Sequence, residues 1–221
     1  MTGPLDQPIV LASGNPKKLA EMREILGAIG LEIVGLNDLN LDLVEPEETG
    51  TTFAENARIK AVGYAEQTGR ACLADDSGLV VDALGGEPGV YSARYSEDEH
   101  PGDLQRVDRD RFNNEKLLRK LADRRVEERT ARFICAMCLV TPVADKSTQI
   151  LAETQGTFEG VIGLPGDVPR GSNGFGYDPL FLVKPDLTRT SAELSPSEKH
   201  TLSHRGFAAR AIAEKLHALK P

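Results

Sequence analysis

Residues 9–29 read IVLASGNPKKLAEMREILGAI, and this stretch sets the fold class. Residues 9–12 are a short apolar run of strand character. A polar break at Ser13-Gly14-Asn15 follows, after which Leu19, Met22, Leu26 and Ile29 recur at helical spacing. Asn15 suits the N-cap, because its side chain can accept from the free N–H groups of a first turn. Pro16 suits the first helical position, where no N–H is needed. Gly27 and Gly30 mark the stop. Strand, polar loop and helix together open an α/β chain.

Outward from there, residues 31–36 read as a second strand. Thr52-Phe53-Ala54-Glu55 is a capping box that starts a helix with Phe53, Ala57, Ala61 and Tyr64 on one face. Residues 71–74 and 79–84 read as strands joined by a turn at Asp75-Asp76-Ser77-Gly78. Residues 94–111, charged and containing Pro101 and Gly102, read as a surface loop. A helix is expected over 113–123, with Leu117, Leu118 and Leu121 inward. Residues 132–141 form the strongest strand, and 149–158 its hairpin partner, with the turn at or near Asp145-Lys146-Ser147. Residues 160–176 read as glycine-rich loop and 179–183 as a short strand. Ser195-Pro196-Ser197-Glu198 is a second capping box. It opens a short helix before a last one over 203–219, whose Phe207, Ala211 and Leu219 share a side. Early alternation followed by a hairpin predicts a mixed α/β sheet rather than a doubly wound parallel one. With no repeat or linker, residues 1–221 are expected to form a single domain of two tightly joined lobes.

Composition narrows the function. The chain has 221 residues, 40% of them apolar, and 26 basic against 34 acidic side chains, a formal net charge of −8. Such a surplus of acid is unsuited to DNA or RNA, which demand basic charge along the phosphates. A small anion is not excluded, since a few placed lysines can dominate one cleft. No run approaches the ~18 apolar residues of a membrane span, and the first residues lack the pattern of a secretory leader. Three cysteines, Cys72, Cys135 and Cys138, are an odd number and fit a reducing compartment. A cytoplasmic protein is expected. Cys135-Ala-Met-Cys138 has a metal or redox spacing, but in a strand positions i and i+3 point to opposite faces, so the pair reads as ordinary core.

Four places carry possible chemistry. Ser13-Gly14-Asn15-Pro16-Lys17-Lys18, between a strand and a helix start, can offer N–H groups and a lysine to phosphate, although a simple helix start would look the same. Asp75-Asp76 and the acidic loop at Glu48 can supply carboxylates for Mg²⁺ and for accepting a proton, although either could be an ordinary turn. Only one of two adjacent strand carboxylates is expected to face a given site. Phe175, between Gly174 and Gly176, can stack on a base. Lys199 and Arg205 lie before and at a helix start, where Arg205 opposes the dipole unless an anion is near. Phosphate grips, a metal and base site, and a platform together suggest a nucleotide phosphohydrolase.

The ordered set SGNPKK (13–18), EETG (47–50), FAENARIKA (53–61), ADDSGLVVDALGGEPGVYSARY (74–95), GFGYDPLF (174–181) and SHRG (203–206) resembles the inosine/xanthosine triphosphate pyrophosphatase family. The resemblance spans nearly the whole chain. It implies an elongated mixed α/β fold whose two lobes hold the nucleotide in a cleft, a homodimer, and Mg²⁺-dependent cleavage of ITP, dITP and XTP to monophosphate and pyrophosphate. By the same resemblance, Ser13, Gly14, Asn15, Pro16, Lys17 and Lys18 hold the triphosphate, and Asp76 is the general base and a metal ligand. Glu48 is a further ligand and Ser77 a substrate contact. Phe175, Gly176, Tyr177, Asp178, Lys199, His204 and Arg205 hold base and phosphates. The family often has threonine where Ser13 stands, and residues 97–111 form a long charged stretch without an assigned role. Rival readings are a pyrophosphatase of other base preference and a non-catalytic nucleotide sensor.

Overall fold

The computed structural model describes residues 7–143 and 147–218. Strands β1 (Ile9–Leu11), β2 (Ile33–Gly35), β3 (Cys72–Val81), β4 (Thr130–Pro142), β5 (Thr148–Ile162) and β6 (Phe181–Val183) form one sheet in the order β2-β1-β3-β4-β5-β6. β1 runs parallel to β2 and β3, whereas β5 and β6 are antiparallel, so the sheet is mixed as expected. The helices are α1 (Pro16–Gly27), α2 (Phe53–Thr68), α3 (Arg106–Lys120), α4 (Pro196–Leu202) and α5 (His204–Ala218). Both capping boxes form: Thr52 accepts from the Glu55 N–H, and Ser195 from that of Glu198.

The chain divides into two compact units. The first takes the described residues of Met1–Asp76, Cys135–Gly156 and His204–Pro221, the second those of Ser77–Ile134 and Thr157–Ser203. In the first, Ile9, Leu11 and Leu73 of the sheet bury against Met22 and Leu26 of α1 and Ala209, Ile212 and Leu216 of α5. In the second, Phe133, Phe158 and Phe181 pack together over Leu117, Leu121 and Leu180.

Several expectations need correction. Asp75-Asp76-Ser77-Gly78 is not a turn but the middle of β3. Charged partners satisfy both carboxylates, so the backbone has no need to bend. α3 starts at Arg106, inside the stretch read as loop. Its first turns carry few apolar residues but are laced by Arg106–Asp110, Arg111–Asp108 and Arg111–Glu115 pairs, each worth about 0.2–0.5 kcal/mol on a helix surface. β5 continues through Gly160 to Ile162, so the glycine-rich loop begins later. Asp178–Leu180 is a 3-10 turn, and only the last three residues of 179–183 are strand. Phe207 is 46% exposed, because α5 turns its small residues Ala208 and Ala209 inward. Gly156 lies against the first turn of α5, where a Cβ would collide with the His204 carbonyl, the Ala208 nitrogen and Phe207 Cβ. Asp145 and Lys146 of the expected hairpin turn, and Leu219 of the last helix, lie outside the described residues.

Candidate active site

In the first unit the loop between β1 and α1 is folded on itself, with Ser13 Oγ accepting the Asn15 N–H at 3.2 Å and the Asn15 carbonyl receiving the Leu19 N–H. Gly14 lies within the loop, and Pro16 and Lys17 in the first turn of α1. Lys18 reaches from that turn to β3, placing Nζ 2.9 Å from each oxygen of Asp75. Arg205, in the first turn of α5, brings Nε to 3.3 Å from the same carboxylate, which is 4% exposed. Thus the anion that reconciles Arg205 with its helix start includes one from the chain itself. Burial would raise the Asp75 pKa, but Lys18 and Arg205, with Lys60 further off, hold it well below the ordinary carboxylate range. His204 is buried next to Arg205, and Cys135 Sγ lies 3.9 Å from Asp75.

Asp76, one residue on, points to different partners, as strand alternation requires. Lys60 Nζ lies 3.4 Å from Asp76 Oδ1 and 2.9 Å from Glu48 Oε1, so one ammonium draws both carboxylates together. Asn56, one turn before Lys60 on α2, donates to Asp76 Oδ2 at 3.2 Å and accepts the Gly50 N–H at 2.8 Å. It therefore ties the acidic loop to the end of the first unit's sheet segment. Burial, opposed by Lys60 and reinforced by Glu48, holds the Asp76 pKa above its ordinary value. Burial would lower that of Lys60, but Asp76, Asp75 and Glu48 outweigh it and raise it. Neither Asn56 nor Lys60 was singled out from sequence as a site residue. Their signal was there: two polar residues at i, i+4 beside the apolar stripe of α2.

The second unit holds another polar group. Asp178, 6% exposed, accepts from the Phe175 N–H (2.9 Å), Ser191 Oγ (2.8 Å) and Lys199 Nζ (2.5 Å). Gly174, at φ +101°, allows this close approach; a Cβ there would run into both Asp178 and Lys199. The Phe175 ring is 39% exposed, with the Arg106 guanidinium 4.3 Å from its centroid. Gly176 donates its N–H to Asp110 (3.0 Å) and its carbonyl accepts from Asn114 (3.1 Å). The Tyr177 ring lies in the core and its hydroxyl donates to the Ser92 carbonyl at 2.9 Å. Burial pushes the phenol pKa far up. Ser77 follows Asp76 on β3.

The donor chemistry fits Mg²⁺. Glu48 and Asp76 both pair with the Lys60 ammonium, so the two carboxylates lie near enough to share one cation. Among the described residues no group of three or more His, Cys, Asp or Glu gathers as a metal site. Two carboxylates, completed by phosphate oxygens and water, is how Mg²⁺ is commonly held at nucleotide sites. The three cysteines are free and buried, and Cys135 and Cys138 face different surroundings, Asp75 for the first and Glu153 for the second.

The model of the Ham1 family matches residues 9–215. A dITP/XTP pyrophosphatase of Nitratidesulfovibrio vulgaris is 50% identical over 208 residues, covering 93% of this chain and 94% of the relative. One from Frankia alni is 50% identical over 210 residues, covering 94% and 96%. Among solved structures, the Ham1 protein of Staphylococcus aureus superposes with TM-score 0.78 at 38% identity, over 97% of this chain and 100% of that one. The nucleoside-triphosphatase / dITP/XTP pyrophosphatase of Mycobacterium abscessus does so with TM-score 0.72 at 43% identity, again over 97% and 100%.

Proposed function

The chain belongs to the Ham1 family, and from that membership we propose that it hydrolyses ITP, dITP and XTP to the monophosphate and pyrophosphate. The observation that carries this reading is the convergence of Glu48 and Asp76 on one cation, one residue from a carboxylate that gathers Lys18 and Arg205. Glu48 and Asp76 would hold Mg²⁺. When bound, the ion neutralises phosphate oxygens and lowers the pKa of a water molecule. Asp76 takes the proton from the water that attacks the α-phosphorus, and pyrophosphate leaves. Asn56 aims Asp76, and Lys60 balances the two carboxylates. Lys18 and Arg205, with the loop of Ser13, Gly14, Asn15, Pro16 and Lys17 at the start of α1, bind the triphosphate.

Phe175 supplies the face on which the base stacks, and Gly176, Tyr177, Asp178, Lys199, His204 and Ser77 complete the contacts. A 6-oxo purine presents an acceptor at O6 and a donor at N1, and adenine reverses both. Adenine would leave buried groups unpaired, which costs about 10²-fold or more in kcat/KM. The acidic net charge argues against a nucleic-acid polymer as partner. No described helix is long and apolar enough to cross a membrane; buried free cysteines suit the cytoplasm, and the proposal of a homodimer rests on the family resemblance alone.

Initial rates for ITP, dITP, XTP, GTP and ATP, with Mg²⁺ and with EDTA, resolving both products, test the reading. Monophosphate and pyrophosphate from ITP and XTP, abolished by EDTA, are expected. Diphosphate and orthophosphate as first products, or equal use of ATP, would overturn it.

A further inference from the structure

Arg106, Asp110 and Asn114 lie at i, i+4 and i+8 of α3, and so along one face of the helix. All three engage the two-residue segment Phe175-Gly176. Asp110 Oδ2 accepts the Gly176 N–H at 3.0 Å, and Asn114 Nδ2 donates to the Gly176 carbonyl at 3.1 Å, so both polar groups of that residue's backbone are committed to α3. Arg106 lies over the Phe175 ring at 4.3 Å, and its Nε is 3.9 Å from Asp110. Gly176 sits at φ +59°, which only a glycine adopts at little cost, so the segment is shaped to meet the helix.

Arg106 and Asp110 belong to the charged stretch 97–111 that the sequence left without a role, and Asn114 follows it. Neither of the two cores draws on Arg106, Asp110 or Asn114. Arg106 is half exposed, yet of all the surface it could cover it lies on a ring that is itself 39% exposed. A guanidinium over one face of an aromatic ring restrains the ring plane, and Phe175 remains 39% exposed.

We propose that Arg106 is a positioning residue for the nucleobase: with Asp110 and Asn114 it clamps the Phe175-Gly176 segment so that the ring is preset to stack on the purine. The clamp rests on Phe175 being the base platform, as assigned above. None of the three is among the residues proposed to hold the phosphates or the metal. The clamp's contribution is therefore to base affinity and KM, with kcat unchanged.

The test is a double-mutant cycle of Arg106→Ala and Phe175→Leu in the full chain. IMP, which carries the base and is not hydrolysed, and pyrophosphate, which has no base, are titrated by calorimetry, and KM and kcat are measured for ITP. Arg106→Ala should weaken IMP about two- to five-fold, the size of an exposed cation–π contact. It should raise KM for ITP equally, and leave pyrophosphate binding and kcat unchanged. In the Phe175→Leu background the same substitution should do nothing, and Arg106→Lys should restore part of the loss. Equal weakening of IMP in both backgrounds, tighter IMP binding, or weaker pyrophosphate binding would overturn the clamp. If Phe175→Leu binds IMP as the parent does, the platform falls and the clamp with it. If Phe175→Leu weakens IMP but Arg106→Ala does not, the clamp alone falls.

Discussion

Replacing Asp75 by asparagine should separate stability from phosphate binding. The carboxylate is 4% exposed and is shared by Lys18, at 2.9 Å from both oxygens, and Arg205 at 3.3 Å. The lysine side chain is 21% exposed and that of the arginine 10%, so neither cation gains much from water when its partner is neutralised. Breaking a buried pair by removing one charge costs about 3–5 kcal/mol. Asparagine keeps the shape and one acceptor oxygen, which puts the expected loss at the lower end, about 3 kcal/mol. For a chain of this length that lowers Tm by about 6–12 °C. The two cations freed from Asp75 would at the same time be better placed to take an anion. Pyrophosphate should therefore raise Tm more in the variant than in the parent. Differential scanning calorimetry with and without pyrophosphate reads both effects. A variant melting within about 1 °C of the parent, or one that pyrophosphate stabilises no more than the parent, would refute the reasoning.

Acid should erase that difference. The folded Asp75 carboxyl is held below its unfolded value of about 3.9, so its contribution is complete above that value and drains away as the pH falls through the window beneath it. The Tm gap between parent and Asp75→Asn should be steady from pH 8 to about 5 and narrow below about 4; a gap that widens on acidification contradicts this. Asp76→Asn should cut kcat on ITP by at least about 10³ while ITP affinity changes little, because asparagine cannot accept the proton and is a poorer Mg²⁺ ligand. A variant that keeps a tenth of parental kcat would move the base elsewhere. Gly174→Ala should destabilise the fold by about 1–3 kcal/mol and weaken IMP, since a Cβ at φ +101° meets Asp178 and Lys199; unchanged IMP binding would show that the Asp178–Lys199 contact does not support the base platform.

Much of this was legible in the residues. Asn15-Pro16 and the two capping boxes are local signals, because the groups that satisfy a helix start lie within four residues of it. The mixed sheet followed from alternation and one hairpin. What the sequence hid was decided by distant partners. The Asp-Asp-Ser-Gly run has turn chemistry, yet Lys18, Arg205, Lys60 and Asn56 satisfy its carboxylates from other elements and leave β3 straight. The start of α3 lacks an apolar period, because its early turns hold Phe175-Gly176 rather than a core. Phe207 was misread because the buried face of α5 is the one that carries Ala208, Ala209, Ile212 and Leu216, and side-chain size does not decide it. Motif order supplied the candidate site residues, but Asn56 and Lys60 became visible only once α2 placed them beside Glu48 and Asp76.

The central claim is attack of water at the α-phosphorus, with Asp76 as base. It is tested most directly by a single turnover of ITP in water enriched in oxygen-18, with both products analysed by mass spectrometry. The account predicts one heavy oxygen in IMP and none in pyrophosphate; heavy oxygen in pyrophosphate with unlabelled IMP would contradict it.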